Sequence, residues 1–129
     1  MASPRRCTEA TRAGRLAKAN QFFVAAETIA TTIEDQDIAD AYVTLCVHAG
    51  IAAADVICCA RLGEHAQGDD HQEAVALLTK ADRTNAKYLR LLLDLKTRSG
   101  YSAAPTSKTD QKRAGRAAAT LVTAARAAG

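Results

Sequence analysis

A chain of 129 residues suits one domain, taken as residues 1–129, with a single core. Hydrophobic residues make up 48% of it, much of that alanine; tryptophan is absent and aromatics are 4%. That argues against a stacking platform for single-stranded nucleic acid and for a core built by close approach of small side chains. The net charge of +3 is mildly basic, compatible with a solvated surface or with an anionic partner.

The opening MASPRRCTEATRAGR has no apolar core behind its arginines, so it does not read as a secretory signal. No apolar run is expected to span a bilayer, and the expected location is the cytoplasm, without membrane contact. Cys7, Cys46, Cys58 and Cys59 are then expected as reduced thiols. They form no C-x-x-C, and the adjacent Cys58 and Cys59 point about 100° apart on a helix, which makes them poor joint ligands. They read as small buried hydrophobes, with no metal and no cofactor.

The hydrophobic spacing predicts five helices and no strand. The first runs from about Thr8 to Ile33, with Ser3-Pro4 as an earlier alternative start, and carries an apolar stripe of Leu16, Ala19, Phe23, Ala26 and Ala30. The acidic link EDQD ends it and can cap the next helix. The second runs from about Ile38 to Leu62 and is closed by Gly63 as its C-cap. EHAQGD is a turn. Asp70 then reads as an N-cap, with Glu73 three residues on in a capping-box arrangement, opening a third helix that carries Val75, Leu77 and Leu78 to about Ala81. After a break near ADRTN, the fourth carries YLRLLLDLK and stops near Ser99-Gly100. Pro105 keeps YSAAP extended. Ser107 and Asp110 mark the start of a last helix, about residues 107–127, rich in Ala and Arg.

Two constellations stand out. On the second helix Ala41, Leu45, His48, Ala52, Asp55 and Cys59 fall on one stripe. His48 and Asp55 lie two turns apart, roughly 10 Å, too far to bond each other. If the stripe is buried, each needs a partner from elsewhere; Lys18, Tyr88, Arg90 and Tyr101 are candidates for Asp55. The pair reads as a structural polar clamp that fixes helix register, with a nucleotide or RNA pocket as the alternative. Ala49, Gly50, Ala52, Ala53 and Ala54 allow another backbone close, from the first helix or a second subunit. In the turn RLGEHAQGDDHQEA, Arg61, His65 and His71 could converge on a phosphate; His71 follows the Asp70 cap, where a helix N-terminus favours anions and a neutral imidazole. The main electrostatic feature is a basic face on the last two helices. Residues 82–98 hold five basic and two acidic side chains, and residues 106–129 hold five basic ones and only Asp110.

RLAKANQFFVAAETIA resembles the opening helix of HEPN domains, small helical domains often partnered with minimal nucleotidyltransferases. AYVTLCVHAGIAAADVICCARLG is similar to their second helix, DDHQEAVALL to the following helix start, LLLDLKTRSGYSA to the segment ending in Arg-x-x-x-Tyr, and TDQKRAGRAAATLVTAARA to the closing helix. The resemblance covers nearly the whole chain. It implies an all-α, up-and-down bundle of four to five helices, commonly a homodimer, linked to nucleotides, RNA and toxin–antitoxin pairs. Catalytic members are metal-independent ribonucleases with Arg, four to six residues, then His. Here Arg61 to His65 is one residue too short and Arg61 lies ten residues before His71. The resemblance therefore implies a non-catalytic domain that binds a nucleotidyltransferase-type protein, a nucleotide or RNA. Arg61, His71, Arg90, Lys96, Arg98, Tyr101, Lys112, Arg113 and Arg116 are its candidate ligand-binding residues. The alternatives are an atypical ribonuclease using His71 or His65 with Arg61, and a homodimeric scaffold without ligand.

Overall fold

The computed structural model describes residues 4–32, 38–68 and 70–128, most of them in five helices. These are α1 (Glu9–Thr32), α2 (Ala39–Leu62), α3 (His71–Ala81), α4 (Ala86–Tyr101) and α5 (Lys108–Ala128). The mostly helical fold matches the expectation. One addition does not: β1 (Arg5–Arg6) and β2 (Glu64–His65) pair antiparallel, with Arg5 opposite His65 and Arg6 opposite Glu64. Strands of two residues leave no alternation to read.

The helix ends follow local chemistry. Thr8 caps α1, its Oγ1 accepting the Thr11 N–H at 3.1 Å. Gly63 ends α2 at φ +72°, a left-handed conformation that glycine adopts freely, and donates to the Cys59 carbonyl. Asp70 accepts the Glu73 N–H at 3.1 Å and caps α3. The capping box is only half formed, because Glu73 Oε2 is buried without a partner among the described residues. The break after Ala81 is held by Asp82, which accepts the Asn85 N–H at 3.3 Å and the Asn85 side-chain amide at 2.7 Å. Ser107 Oγ accepts the Asp110 N–H at 3.1 Å at the start of α5. α4 runs to Tyr101, slightly past its expected stop. The extended stretch after it is tied to α2 by Asp40, whose Oδ1 accepts both the N–H and the hydroxyl of Thr106. The earlier start at Ser3-Pro4 is not used by Pro4, which lies outside any helix. Ser3, Ile33 and the EDQD link lie outside the described residues, and Ile38 stands at the α2 N-cap with no side-chain cap bond.

α2 is the central helix. Most of its surface is buried, from Ala39, Val43 and Val47 to Val56, Ile57 and Cys58, and the face that carries Thr44, His48, Ile51 and Asp55 is the less buried one. By length and composition α2 could cross a membrane, which corrects the expectation that no segment could, but 72% of its most apolar window is buried against the other helices. Its apolarity is that of a core helix. The expected single stripe is corrected too: Ala52 and Cys59 are buried, whereas Ala41 and His48 are exposed. The α1 stripe holds at Ala19 and Ala26, with Leu16 and Phe23 packed against the core, and fails at the exposed Ala30.

Side-chain pairs give the topology. From Arg15–Asp55 to Phe22–His48 the chain moves seven residues forward on α1 and seven back on α2, so the two helices are antiparallel. Thr44 meets Ser99, and the space at Gly50 is filled by Leu92, so α4 also runs against α2. Tyr42 lies over Gly115, and Gly50 faces Leu121, so α5 runs parallel to α2. This is an up-and-down arrangement, with α3 and α4 joined by the Asp82 turn. Gly50 serves close packing as expected, but its neighbours are Leu92 of α4 and Leu121 of α5, not α1 or a second subunit.

The four thiols are not all free. Cys7 is disulfide-bonded to Cys59, with a Cα–Cα distance of 5.5 Å, while Cys46 and Cys58 are free and buried. Cys7 lies just before α1 and Cys59 near the end of α2, places that only the antiparallel fold brings together. The Cys7 N–H donates to the Gly63 carbonyl at 2.9 Å beside the bridge. Burial pushes the Cys46 thiol up to about 11 and the Cys58 thiol up to about 12, so neither is a ready thiolate.

Two stability outcomes follow from this packing. The bridge spans 52 residues, so reduction or Cys7→Ser is expected to cost about 4 kcal/mol on the loop-entropy estimate, read by urea unfolding. Gly50→Ala adds a methyl that collides with Leu92 Cδ1 and sits 3.3 Å from Leu121 Cδ1, both fully buried. Despite the better helix propensity of Ala, a net loss of about 1–2 kcal/mol is expected; an unchanged or raised midpoint would refute it.

Candidate functional site

The basic face predicted on the last two helices forms a groove between α4 and α5. It has a volume of about 490 Å³ and is lined by Lys87, Tyr88, Arg90, Arg98, Asp110 and Arg113, with Asp94 and the apolar Leu91 and Leu95. The helical period places Lys87, Arg90, Leu91, Asp94 and Arg98 on one side of α4. Asp110, in the first turn of α5, holds two of the cations: Arg98 Nη1 at 2.8 Å from Oδ2 and Arg113 Nη1 at 3.5 Å from Oδ1. Arg90 has no ion-pair partner among the described residues and is exposed. Four cations against two carboxylates leave the groove positive.

Arg90 also serves the opposite flank of α4. A second groove of about 440 Å³ is lined by His71 and Gln72 at the start of α3, by Thr79, and by Arg90 and Asp94. His71 and Arg90 are therefore brought to one surface, and α4 separates two grooves that share Arg90 and Asp94. Lys112 and Arg116 are exposed on α5 but do not line either groove.

Other expected partners are kept apart. Arg61 Nη1 donates to the Ala81 carbonyl at 3.0 Å and lies 4.0 Å from Asp82 Oδ2, which places it at the C-terminal end of α3. His71 is at the N-terminal end, ten residues or roughly 15 Å away along the helix. His65 is in neither groove; its Nδ1 faces the Ala66 carbonyl at 2.8 Å. A carbonyl only accepts, so Nδ1 carries the proton and Nε2 of the neutral ring is the acceptor. The expected convergence of Arg61, His65 and His71 is not formed, because α2 delivers Arg61 to the wrong end of α3.

His48 and Asp55 do not form one internal clamp. His48 packs against the Phe22 ring at 5.5 Å between centroids and borders a cavity of about 170 Å³ with Thr44, Lys96, Ser99, Gly100 and Tyr101. Tyr101 is 83% exposed. Asp55 is paired with Arg15, Nε to Oδ2 at 2.8 Å, and not with Lys18, Tyr88, Arg90 or Tyr101. Burial raises the Asp55 pKa above the ordinary carboxylate value, and Arg15 and then His65 pull against that shift without cancelling it. Sequence reasoning missed Arg15. The signal was present: Arg15 lies four residues before Ala19 on the stripe that faces α2, whereas Lys18 is turned off it.

Among the described residues no group of three or more His, Cys, Asp or Glu is placed to hold a metal ion. No protein-family model matches the chain, and no curated protein matches it.

The raised Asp55 pKa has a testable sign. Between the ordinary value of 3.8 and its folded value the folded state binds more protons than the unfolded state. Stability contributed at this site therefore falls as pH rises through that window. Asp55→Asn is expected to flatten the profile there. Arg15→Ala is expected to steepen it and to cost about 2 kcal/mol at neutral pH. Urea unfolding across the acid range reads both, and a profile unchanged in Asp55→Asn would contradict the assignment.

Proposed function

We propose that this chain is a non-catalytic, HEPN-like helical domain that binds a phosphate-bearing ligand, a nucleotide or RNA, across α4. The observation that carries this reading is the gathering of Lys87, Arg90, Arg98 and Arg113 on one groove, with His71 and Arg90 lining a second groove on the other flank of α4. Arginine suits phosphate because its planar fork donates two parallel hydrogen bonds. Asp110 orients Arg98 and Arg113 through their terminal nitrogens, which limits the rotamers they must give up on binding. Surface ion pairs of this kind add little stability, so a ligand phosphate can compete for the cations. The order of the helices and the resemblance of their sequences to HEPN domains support the family part of the reading; the same part brings a homodimer and a nucleotidyltransferase-type partner with it.

The position of Arg61 speaks against the cleaving alternative that pairs it with His71. A metal-free ribonuclease needs a base and a cation at one phosphate. Arg61 is held on the Ala81 carbonyl, a helix length from His71.

Fluorescence anisotropy with a short single-stranded RNA and with labelled ATP tests the reading. Binding is expected to weaken with salt, and Arg90→Glu with Arg113→Glu to weaken it about tenfold or more. On RNA the log–log salt slope is expected to become shallower by about 0.7 for each phosphate the double variant no longer neutralises. Undiminished binding by the double variant would remove the groove from the proposal, and RNA shortened on a gel would remove its non-catalytic part.

A further inference from the structure

A further cavity lies away from the basic face. It lies between α1, α2 and the strand pair, with a volume of about 550 Å³, within the range of small-molecule sites. Its apolar side is made by Ile51, Ala54, Cys58, Ala74 and Leu89. Its polar side is made by Arg5, Thr11, Arg15, Asp55, His65 and Gln67. We propose that this cavity binds a compact organic anion, its apolar body against Ile51, Ala54 and Leu89 and its charged group between Arg5 and Arg15, and that the Cys7–Cys59 disulfide holds the outer wall in place.

The charge of the ligand follows from what is already matched. Asp55 is satisfied by Arg15 at 2.8 Å, through Nε alone, so the two terminal nitrogens of Arg15 remain as donors. Arg5 adds a second guanidinium. Its Nε donates to Gln67 Oε1 at 2.7 Å, which fixes the side chain along the cavity wall and leaves its terminal nitrogens as donors too. The cavity's one lining carboxylate is thus already paired, and an excess of positive charge remains. A cation would have to displace Arg15 from Asp55 and sit beside Arg5. An anion meets two forks of donors at no such cost.

The wall depends on the bridge. Arg5 enters the cavity from β1, whose hold on β2 is two residues of pairing. A two-stranded contact that short is marginal in water. Cys7, one residue beyond β1, is fixed to Cys59 covalently and to the Gly63 carbonyl by its N–H. Reduction leaves β1 with little else, so Arg5 leaves the wall while Arg15 and the apolar side stay.

Methyl-resolved NMR titration of the oxidised chain with benzoate, phenyl phosphate, benzyl alcohol and benzylamine tests this. The methyls of Ile51, Ala54 and Leu89 are expected to shift with the two anions, and the alcohol and the amine to bind about tenfold weaker or less. The stronger of the two anions tells a carboxylate site from a phosphate-ester site. Arg5→Ala, an exposed substitution that leaves the helices intact, is expected to weaken benzoate or phenyl phosphate about tenfold, and dithiothreitol to reproduce that loss. Arg113→Glu, in the separate groove on α4, is expected to leave it unchanged, so failure here and failure of the groove proposal are distinguishable. Equal binding of benzylamine, silent methyls with every probe, or an unaltered affinity in Arg5→Ala would overturn the site. Unaltered affinity in the reduced chain, with its helical circular dichroism retained, would overturn the role of the disulfide.

Discussion

Gly50 is the tightest point of the structure. The space its side chain would fill is taken by Leu92 from α4 and Leu121 from α5. Two helices that run in opposite directions are thereby fixed on one turn of α2, and the small residues around it, Ala49, Ala52, Ala53 and Ala54, bring the remaining neighbours in. Close approach multiplies weak dispersion contacts, which is how a chain with so few aromatics fills a core. The consequence for function is geometric. A helix packed on nearly every side offers polar chemistry only where its neighbours end or diverge. Asp55, His48 and Arg61 each sit at such a place: Asp55 against α1, His48 between α1 and the α4 C-terminus, and Arg61 at the turn after α3.

The antiparallel register of α1 on α2 decides what happens at the far end. Once Phe22 lies on His48, the start of α1 is carried to the end of α2, and Arg15 meets Asp55 with no freedom to choose another partner. Cys7 then comes to Cys59, and β1 to β2. The disulfide is therefore a product of the same register and also its lock, because a slip of one helical turn would separate all of these pairs at once.

Local signals were legible wherever a single residue acts on its own backbone. Thr8, Gly63, Asp70 and Ser107 each mark a helix end in the sequence and do so in the structure. The need for close approach at Gly50 was equally legible. Partners were not, because they depend on which face meets which. A central helix hides which neighbour each face meets: the spacing of His48 and Asp55 could not reveal that His48 is exposed beside Phe22 while Asp55 is paired with Arg15. The disulfide was hidden behind an argument from compartment, and the pairing of Arg5–Arg6 with Glu64–His65 behind its brevity. The basic groove lay between. The sequence placed the cations on the last two helices, but only the packing of α4 on α5 separates Arg90, Arg98 and Arg113, which share a groove, from Lys112 and Arg116, which do not.

The two cation-rich regions differ in kind. On α4 the charges are exposed, their field extends into solvent, and ions screen it within about 10 Å at 0.1 M salt. Such a surface attracts any phosphate chain and orders it weakly. At the Arg15–Asp55 cavity the charges are few, Arg15 and Asp55 are partly buried and paired with each other, Arg5 stands at the exposed wall, and burial weighs on Asp55 more heavily than Arg15 and His65 do. A field of that sort is short-ranged and little affected by salt, and it acts through shape and hydrogen-bond direction. An extended polyanion matches the first region and a small molecule the second. One helical bundle can hold both because the rigid α2 spine keeps α4 and the start of α1 on separate sides of the same core.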